Sequence, residues 1–496
     1  MPTRFTHSNV LRLALALCGV LSTIVGAAPP RGDVVQVWVT TADRTRLLAR
    51  DADRRFGADA PALLNIEVDA SLRYQEYLGV GAAFTDATAQ VLETRLTKHA
   101  RQALLQELMG PPPGLGLNLM RVPIGATDFS PAHYSLDDRP LGETDPALEH
   151  FALGPHGERL LSLVRAAHAI NPQLRLIASP WSAPAWMKNT GSLIAGRLLP
   201  QYYDAFADYL LRFAEQYRKA GVPLYALTVQ NEPGFEPDDY PGMRFDAPER
   251  ARFIGAHLGP KLALLTQAPL LLDYDHNWDK PLSPLRVLAD SEAAHYIAGI
   301  AWHCYRGHVA VQSKVSDAYP QLLSLMTECS GGGWDPGWVK GLRKIVGTLL
   351  IEGARNGGQG VILWNLALDE RHGPHLGGCT NCRGVVTVDS SSGGVTRNVD
   401  YYSLAHLARF VRPGARRIAS GSDLGGLHSV AYRNSDDGSI ALLVYNGAEV
   451  ARRFTVTSGP QRFAYPLPAG SVATFWWRPT AQESEASSLG QGQVHE

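Results

Sequence analysis

The sequence predicts an α/β fold: a closed parallel (β/α)8 barrel of the TIM type, with an antiparallel β-sandwich-like side domain built from the N-terminal strands and the C-terminal region. Three observations lead there. Between about Tyr77 and Leu368, short runs that are apolar throughout alternate eight times with longer stretches carrying apolar residues at three- and four-residue spacing. That is the pattern of strands buried on both faces and of amphipathic helices. No glycine-rich phosphate loop follows the first run, which argues against an open doubly wound sheet. On either side of the repeat the chain returns to β-branched or alternating runs separated by turn residues, the mark of antiparallel strands.

Taken in order, residues 1–27 read as a signal peptide. Arg4 and Arg12 flank a polar start, Leu13 to Val25 is apolar, and Val25-Gly26-Ala27 offers small residues for cleavage. The apolar run is short for a membrane span, so no stable span is expected in the mature chain. An uncleaved anchor is the alternative, and a lipoprotein site at Cys18 is disfavoured by the large Leu17 before it. Residues 28–75 hold strands at Val34–Thr41 and Leu64–Asp69 with an Arg/Asp-rich stretch to Gly57 between them; these strands are expected to join the side domain. The barrel is placed at 76–410. Its strands are Leu78–Ala83, Leu117–Ile124, Leu174–Trp181, Tyr225–Glu232, Leu270–Tyr274, Gly299–Tyr305, Leu322–Cys329 and Val361–Leu368. The clearest helices are Leu92–Leu108, Gly157–Ile170, Tyr202–Ala220, Pro248–Leu265, Pro284–Ile297 and Val339–Arg355, and Tyr401–Phe410 is the last. Residues 411–480 carry strands at His428–Tyr432, Ile440–Tyr445, Arg453–Val456, Phe463–Leu467 and Val472–Trp477, and the polar stretch 481–496 is expected to be disordered.

A net charge of −1 over 496 residues points to neither nucleic acid nor an anionic surface as a partner. Ten Trp and eighteen Tyr are compatible with a sugar-stacking surface. Five cysteines are too few for a disulfide scaffold. Cys304 and Cys329 read as buried thiols, or as a disulfide if their strands are neighbours. Cys379-Thr380-Asn381-Cys382 reads as a short-loop disulfide in an exported protein, or, with His372 and His375 upstream, as a structural zinc site.

The chemistry centres on two glutamates. Leu227-Thr228-Val229-Gln230-Asn231-Glu232-Pro233 is an apolar run that stops at a carboxylate, and Leu323 to Glu328 is another, followed by Cys329-Ser330 and three glycines. Parallel barrels place their catalytic groups at the carboxyl ends of strands, so Glu232 and Glu328 can face each other across the mouth. Two such carboxyls are the minimum equipment for cleaving a glycosidic bond, one protonated and one ionised; each alone reads equally well as a helix cap. Arg121, ending strand two, is expected to support Glu328 as the nucleophile by holding it ionised, in place of a salt bridge elsewhere. His303 and Tyr305 point inward from strand six and can bond a carboxylate, with a satisfied core histidine as the alternative. Asn231 can bond a sugar 2-hydroxyl. Trp181 and Trp364 can stack on a sugar or pack as core. Asp86 can grip hydroxyls or serve as an N-cap.

These segments, in order, resemble glycoside hydrolase family 30, the family of lysosomal glucosylceramidase. The resemblance is carried by Gly79 to Asp86, Arg121-Val122-Pro123-Ile124, Ala178 to Lys188, Gln230-Asn231-Glu232-Pro233, His303-Cys304-Tyr305, Thr327-Glu328 and Trp364-Asn365-Leu366-Ala367-Leu368. It implies a retaining mechanism with Glu232 as acid/base and Glu328 as nucleophile. It puts Asp86, Trp181, Asn231 and Trp364 in the first sugar subsite, with Tyr240 nearby. Cys304 departs from the aromatic residue of the lysosomal enzyme, and the loop Arg371–Arg383 looks more like secreted bacterial members. The expectation is a secreted or periplasmic retaining β-glycosidase acting on a carbohydrate or glycolipid, glucosylceramidase-like, with no cofactor or metal. The alternatives are a β-1,6-glucanase or other polysaccharide hydrolase of the family, and a catalytically inactive carbohydrate-binding barrel.

Overall fold

The computed structural model describes residues 34–57, 62–421 and 424–479. The expected leader and C-terminal tail lie outside the described residues. Eight parallel strands form the barrel: Gly79–Ala82, Leu119–Ile124, Arg175–Pro180, Ala226–Thr228, Leu270–Asn277, Ile297–His303, Leu323–Glu328 and Gly360–Leu363. They are numbered one to eight below. Strand eight pairs with strand one. Strands one and two close the ring through the bridge between Ala83 and Arg121, with the Phe84 amide donating to the Arg121 carbonyl at 2.8 Å. The approach there is tight: a Cβ on Gly81 would lie 2.1 Å from the Leu119 carbonyl oxygen, so only glycine lets the strands meet.

Inside the ring, Leu78, Leu119, Ile177, Ala226, Leu272, Ala301, Leu325 and Ile362 make one apolar layer. Two residues further along a strand the side chain returns to the same face. Leu119 is followed by Arg121, Ile177 by Ser179, Ala226 by Thr228, Ala301 by His303 and Leu325 by Thr327, and all five followers are buried and polar. The barrel is thus an apolar plug with a polar layer above it at the carboxyl ends. Two strands break the alternation. The ladder between strands five and six slips between Tyr274 and His276, and that between strands seven and six slips between Met326 and Glu328. Each slip is a β-bulge, which re-aims a side chain that strict alternation would send outward. The residues turned inward are Asp275 and Glu328.

The expected strands are all present, with different ends. Strand four stops at Thr228 rather than running to Glu232, and strand eight stops at Leu363. The helix expected at Leu92–Leu108 is two, Asp86–Arg95 and Lys98–Met109, because Thr97 caps a new start by accepting from the Ala100 amide. The helix expected at Pro284–Ile297 is replaced by Leu282–Leu288 and Ser291–Ala294, with Ile297 already on strand six. The helices expected at Pro248–Leu265 and Val339–Arg355 contain π-helical turns at Ile254–Leu258 and Arg343–Glu352.

The side unit is a nine-stranded sheet drawn from both flanks of the barrel. Val34–Thr40 pairs antiparallel with Val472–Trp477, and Leu64–Glu76 lies between Arg416–Ser420 and Arg452–Ser458. The Arg/Asp-rich stretch, read as irregular from sequence, contains the strand Ala49–Arg55 at the sheet edge. One face closes over its own core, which includes Val37, Ile66, Leu442, Phe454, Phe475 and Trp477. Val430, Tyr432, Leu443 and Tyr445 pack with the barrel helices. His406 pins the two units, with Nε2 2.8 Å from Thr40 Oγ1 and Nδ1 2.9 Å from Thr474 Oγ1. Among the described residues, no helix is long and apolar enough to cross a membrane.

Candidate active site

The polar layer is organised by a carboxylate that the sequence reading passed over. Asp275 is fully buried on strand five. Its Oδ2 accepts from Ser179 Oγ at 2.6 Å, Arg121 Nη2 at 2.7 Å and Thr228 Oγ1 at 2.8 Å, and its Oδ1 accepts from Thr327 Oγ1 at 2.6 Å. His303 Nε2 completes the set at 3.0 Å from Oδ1. Burial alone would favour the protonated acid. The Arg121 and His303 charges and these hydrogen bonds outweigh it and hold Asp275 ionised, far below the usual carboxylate range. Arg121 is equally buried and is shared: Nη1 bonds Glu328 Oε2, and Nη2 bonds Asn231 Oδ1 at 2.8 Å as well as Asp275. Its guanidinium also lies 4.7 Å from the Trp181 ring centroid.

Glu328 therefore stands with one oxygen on Arg121 and the other accepting from Tyr305 OH at 2.8 Å. Both partners were expected from sequence. Glu232 sits beyond the end of strand four with φ of 48°, a left-handed conformation costly for a residue with a side chain. It is held there by its amide, which donates to the Asp275 carbonyl at 3.0 Å, while the Asn231 amide donates to the Pro180 carbonyl at 2.8 Å. His303, expected to bond a carboxylate, bonds Glu232 Oε1 through Nδ1 at 3.0 Å and lies 3.9 Å from Glu328 Oε1, so it hydrogen-bonds Glu232 and Asp275 and acts on Glu328 through its charge. Burial opposes the imidazolium, but the Glu328 charge and the bonds to Asp275 and Glu232 prevail and hold its pKa up at about 9. Glu232 is likewise opposed by burial, yet the His303 bond and the charges of His276 and His303 place its carboxyl below the ordinary value. The resting proton thus sits on His303, not on Glu232.

One carboxylate oxygen from each glutamate and a ring nitrogen of His303 all lie within 4.8 Å of one another. Both His303 nitrogens face carboxylates, Nδ1 Glu232 and Nε2 Asp275, each at 3.0 Å, an arrangement that suits an imidazolium. Trp181 and Trp364 end beside this group. They stack on each other with centroids 5.1 Å apart and planes 22° apart, each about 3% exposed, so they form a wall more than an open platform. Tyr240 packs against their cluster, partly buried.

Asp86 is buried, with Oδ2 bonded and Oδ1 without a partner among the described residues. Thr85 is the N-cap, and Asp86 is the first residue of the following helix. Its Oδ2 accepts from Ser130 Oγ and Tyr134 OH, and its surroundings include His156 and Arg159. Asp128, in the loop after strand two, lies within reach of the charges of both glutamates. Burial first, then the charges of Glu328 and Glu232, push its carboxyl up to about 8. Asp275 and Asp128 were missed from sequence, as were His276, 3.9 Å from Glu232 Oε1, and the Ser179, Thr228 and Thr327 hydroxyls on Asp275.

The model of the glycosyl hydrolase family 30 TIM-barrel domain matches residues 77–411, and that of the glycosyl hydrolase family 30 beta sandwich domain matches residues 414–475. The chain belongs to glycoside hydrolase family 30. This family 30 glycosidase is 35% identical over 456 residues to the endo-1,6-beta-D-glucanase neg1 of Aspergillus fumigatus, covering 86% of this chain and 89% of that one. The solved structure of the endo-beta1,6-glucanase BT3312 superposes with a TM-score of 0.81 at 31% identity, covering 90% of this chain and all of that one. The lysosomal acid glucosylceramidase of Mus musculus is 28% identical over 508 residues, covering 96% and 95% of the two chains.

In this family 30 enzyme the loop after strand eight is stapled by a disulfide between Cys379 and Cys382. The zinc alternative is thereby set aside: His372 Nδ1 lies 3.0 Å from the Cys382 carbonyl oxygen, and His375 packs edge-on to Phe129. The staple braces the mouth. Gly331–Gly332 pairs with Cys382–Arg383 just beyond strand seven, and the Cys379 amide approaches Asp128 Oδ2 at 3.4 Å. Cys304 and Cys329 form a second disulfide, since strands six and seven are neighbours.

Proposed function

We propose that the enzyme is an endo-acting β-1,6-glucanase that hydrolyses with retention, using Glu328 as nucleophile and Glu232 as acid/base. The observation that carries the mechanism is the closeness of the carboxylates. Their oxygens lie within 4.8 Å, in keeping with direct attack, which needs the carboxyls about 5–5.5 Å apart, whereas a water-inserting inverting pair needs roughly 6.5–9.5 Å. Arg121 and Tyr305 both donate to Glu328, which suits an anion that attacks the anomeric carbon. As the glycosidic bond breaks, Glu232 relays the proton held on His303, 3.0 Å away, to the leaving oxygen, which leaves His303 neutral and Glu232 ionised. Esterification then removes the Glu328 charge, which favours the ionised form of Glu232 and lets it deprotonate the incoming water. With Asn231 Oδ1 bound to Arg121, its amide nitrogen is left to meet a sugar hydroxyl.

The β-1,6-glucan substrate is supported by the two glucanase relatives, which exceed the glucosylceramidase in identity. The glucosylceramide reading rested on motifs that build the reaction centre, and that centre is shared by both activities. Export is supported by the apolar run Leu13–Val25 and by two disulfides.

The test is product analysis on β-1,6-glucan, glucosylceramide and an aryl β-glucoside side by side. The glucan should be cut internally to short oligosaccharides whose new ends are first β-configured by NMR, and an activated 2-fluoro-glycoside should label Glu328. Faster turnover of glucosylceramide would overturn the substrate, and an α-configured first product would overturn the mechanism. Glu232→Ala should cripple glucan hydrolysis, spare activated aryl glycosides, and yield a β-glycosyl azide when azide is added.

A further inference from the structure

His303 and Glu328 are partners at the last paired position of strands six and seven, and the slip in their ladder falls immediately before it. The regular hydrogen-bond spacing is therefore lost where two side chains of the reaction centre must be held. The next residue on each chain is a cysteine, and Cys304 and Cys329 are joined with their Cα atoms 5.3 Å apart. Successive residues of a strand point to opposite faces. The bond thus ties the backs of the two peptide segments whose fronts present His303 and Glu328. Beyond it both chains leave the sheet. Tyr305 turns back to Glu328, with its own amide donating to Asn277 Oδ1 at 2.9 Å, and the Cys329 carbonyl accepts from the Trp364 amide at 2.8 Å.

We propose that the Cys304–Cys329 disulfide is a positioning clamp for the nucleophile, fixing Glu328 against His303 and Tyr305 at the point where the bulge has weakened the ladder. The proposal rests on Glu328 and Glu232 being the reacting pair. Opening the clamp leaves the sugar-binding groups in place and loosens the attacking carboxylate, so it slows glycosylation more than it weakens binding. A dithiol opens it reversibly: the sulfur–sulfur bond takes up two electrons and two protons to give two thiols, and the dithiol closes to its own disulfide. Activity is thereby tied to oxidising surroundings.

The experiment uses the full chain in two double variants, Cys304→Ser/Cys329→Ser and Cys379→Ser/Cys382→Ser. The first should lower kcat on an aryl β-glucoside about ten- to hundredfold with KM within about twofold, and slow 2-fluoro labelling of Glu328 by the same factor. The second should lower kcat by a clearly smaller factor than the first, and equal losses in the two variants overturn the clamp. Unchanged kcat in the first variant overturns the clamp even if thermal stability falls. Should that variant fail to fold, the Cys379→Ser/Cys382→Ser enzyme, which keeps only the clamp among the described cysteines, is titrated with dithiol. Opening is mapped by alkylation and mass spectrometry. Activity that falls with the opened fraction and returns on reoxidation supports the clamp, and activity that stays constant at full opening overturns it. Labelling of the unmodified enzyme at a residue other than Glu328 overturns the mechanism and the clamp together, whereas labelling at Glu328 with equal rates in both forms overturns the clamp alone.

Discussion

Asp128 and His303 hold protons that an unfolded chain would release at lower pH, and the sign of the consequence is the same for both. Asp128, at about 8, stays neutral in the fold while its unfolded counterpart ionises near 3.8, so its burial costs increasing stability as pH rises from about 4 to 8. The His303 contribution, with a folded value of about 9 against 6.5, is fully present below pH 6.5 and lost as pH climbs through 9. Asp128→Asn should therefore be more stable than the parent by at least about 1 kcal/mol near pH 7.5 and nearly equal near pH 4, as read by denaturant melts at the two pH values. Asp275→Asn should act on the other side of the network. Loss of its charge lowers the His303 pKa, so the alkaline limb of kcat moves to lower pH, with kcat down roughly a hundredfold. Stability should fall by about 3 kcal/mol or more, because Arg121 loses its buried partner. An unmoved alkaline limb would mean that Asp275 does not set the His303 proton. Glu232, Glu328 and Arg121 were legible because each ends an apolar run. Asp275 was not, because period-two counting from Leu272 turns Tyr274 and His276 inward, and the bulge that overrides it leaves no trace in composition.

At the scale of elements, apolar periodicity located every barrel strand but misjudged where several end. Val229 continues the apolar run past Thr228, yet the backbone of the residues that follow reaches Pro180 and Asp275 and places Glu232 at positive φ. Strain of this kind is paid by tertiary contacts and cannot be read from propensity. The π-helical turns were invisible for a related reason, since one extra residue per turn barely disturbs the spacing of apolar positions. The cysteines were legible as two pairs but not as bonds, because adjacency of strands six and seven is a property of the closed ring. Alkylation of the denatured, unreduced protein should now find no free thiol at Cys304, Cys329, Cys379 or Cys382. Modification at either member of a pair would contradict that pairing.

For the molecule as a whole, the side sheet was foreseen as a joint product of both flanks, but its order was not. Leu64–Glu76 lies in the middle of the sheet, with Arg416–Ser420 and Arg452–Ser458 on either hand. A chain beginning at Tyr77 would therefore lose an inner strand and two others, exposing unpaired edges beside an apolar core. Such a truncation should give aggregated or unfolded protein by size-exclusion chromatography and circular dichroism; a monodisperse, active product would show that the barrel stands alone. The same arrangement sets an order of events during biosynthesis. Val34–Thr40 pairs with Ala49–Arg55 on one edge and with Val472–Trp477 on the other, so an early-made strand must wait for nearly the last described one before both its edges are paired. The eight barrel strands are complete in sequence by Leu363 and the last barrel helix by Ala408, so the barrel can form while the flanking strand is still waiting. Closure of the sheet is then a proofreading step: a prematurely terminated chain can possess every reactive group and still display an open β edge to a chaperone or a protease.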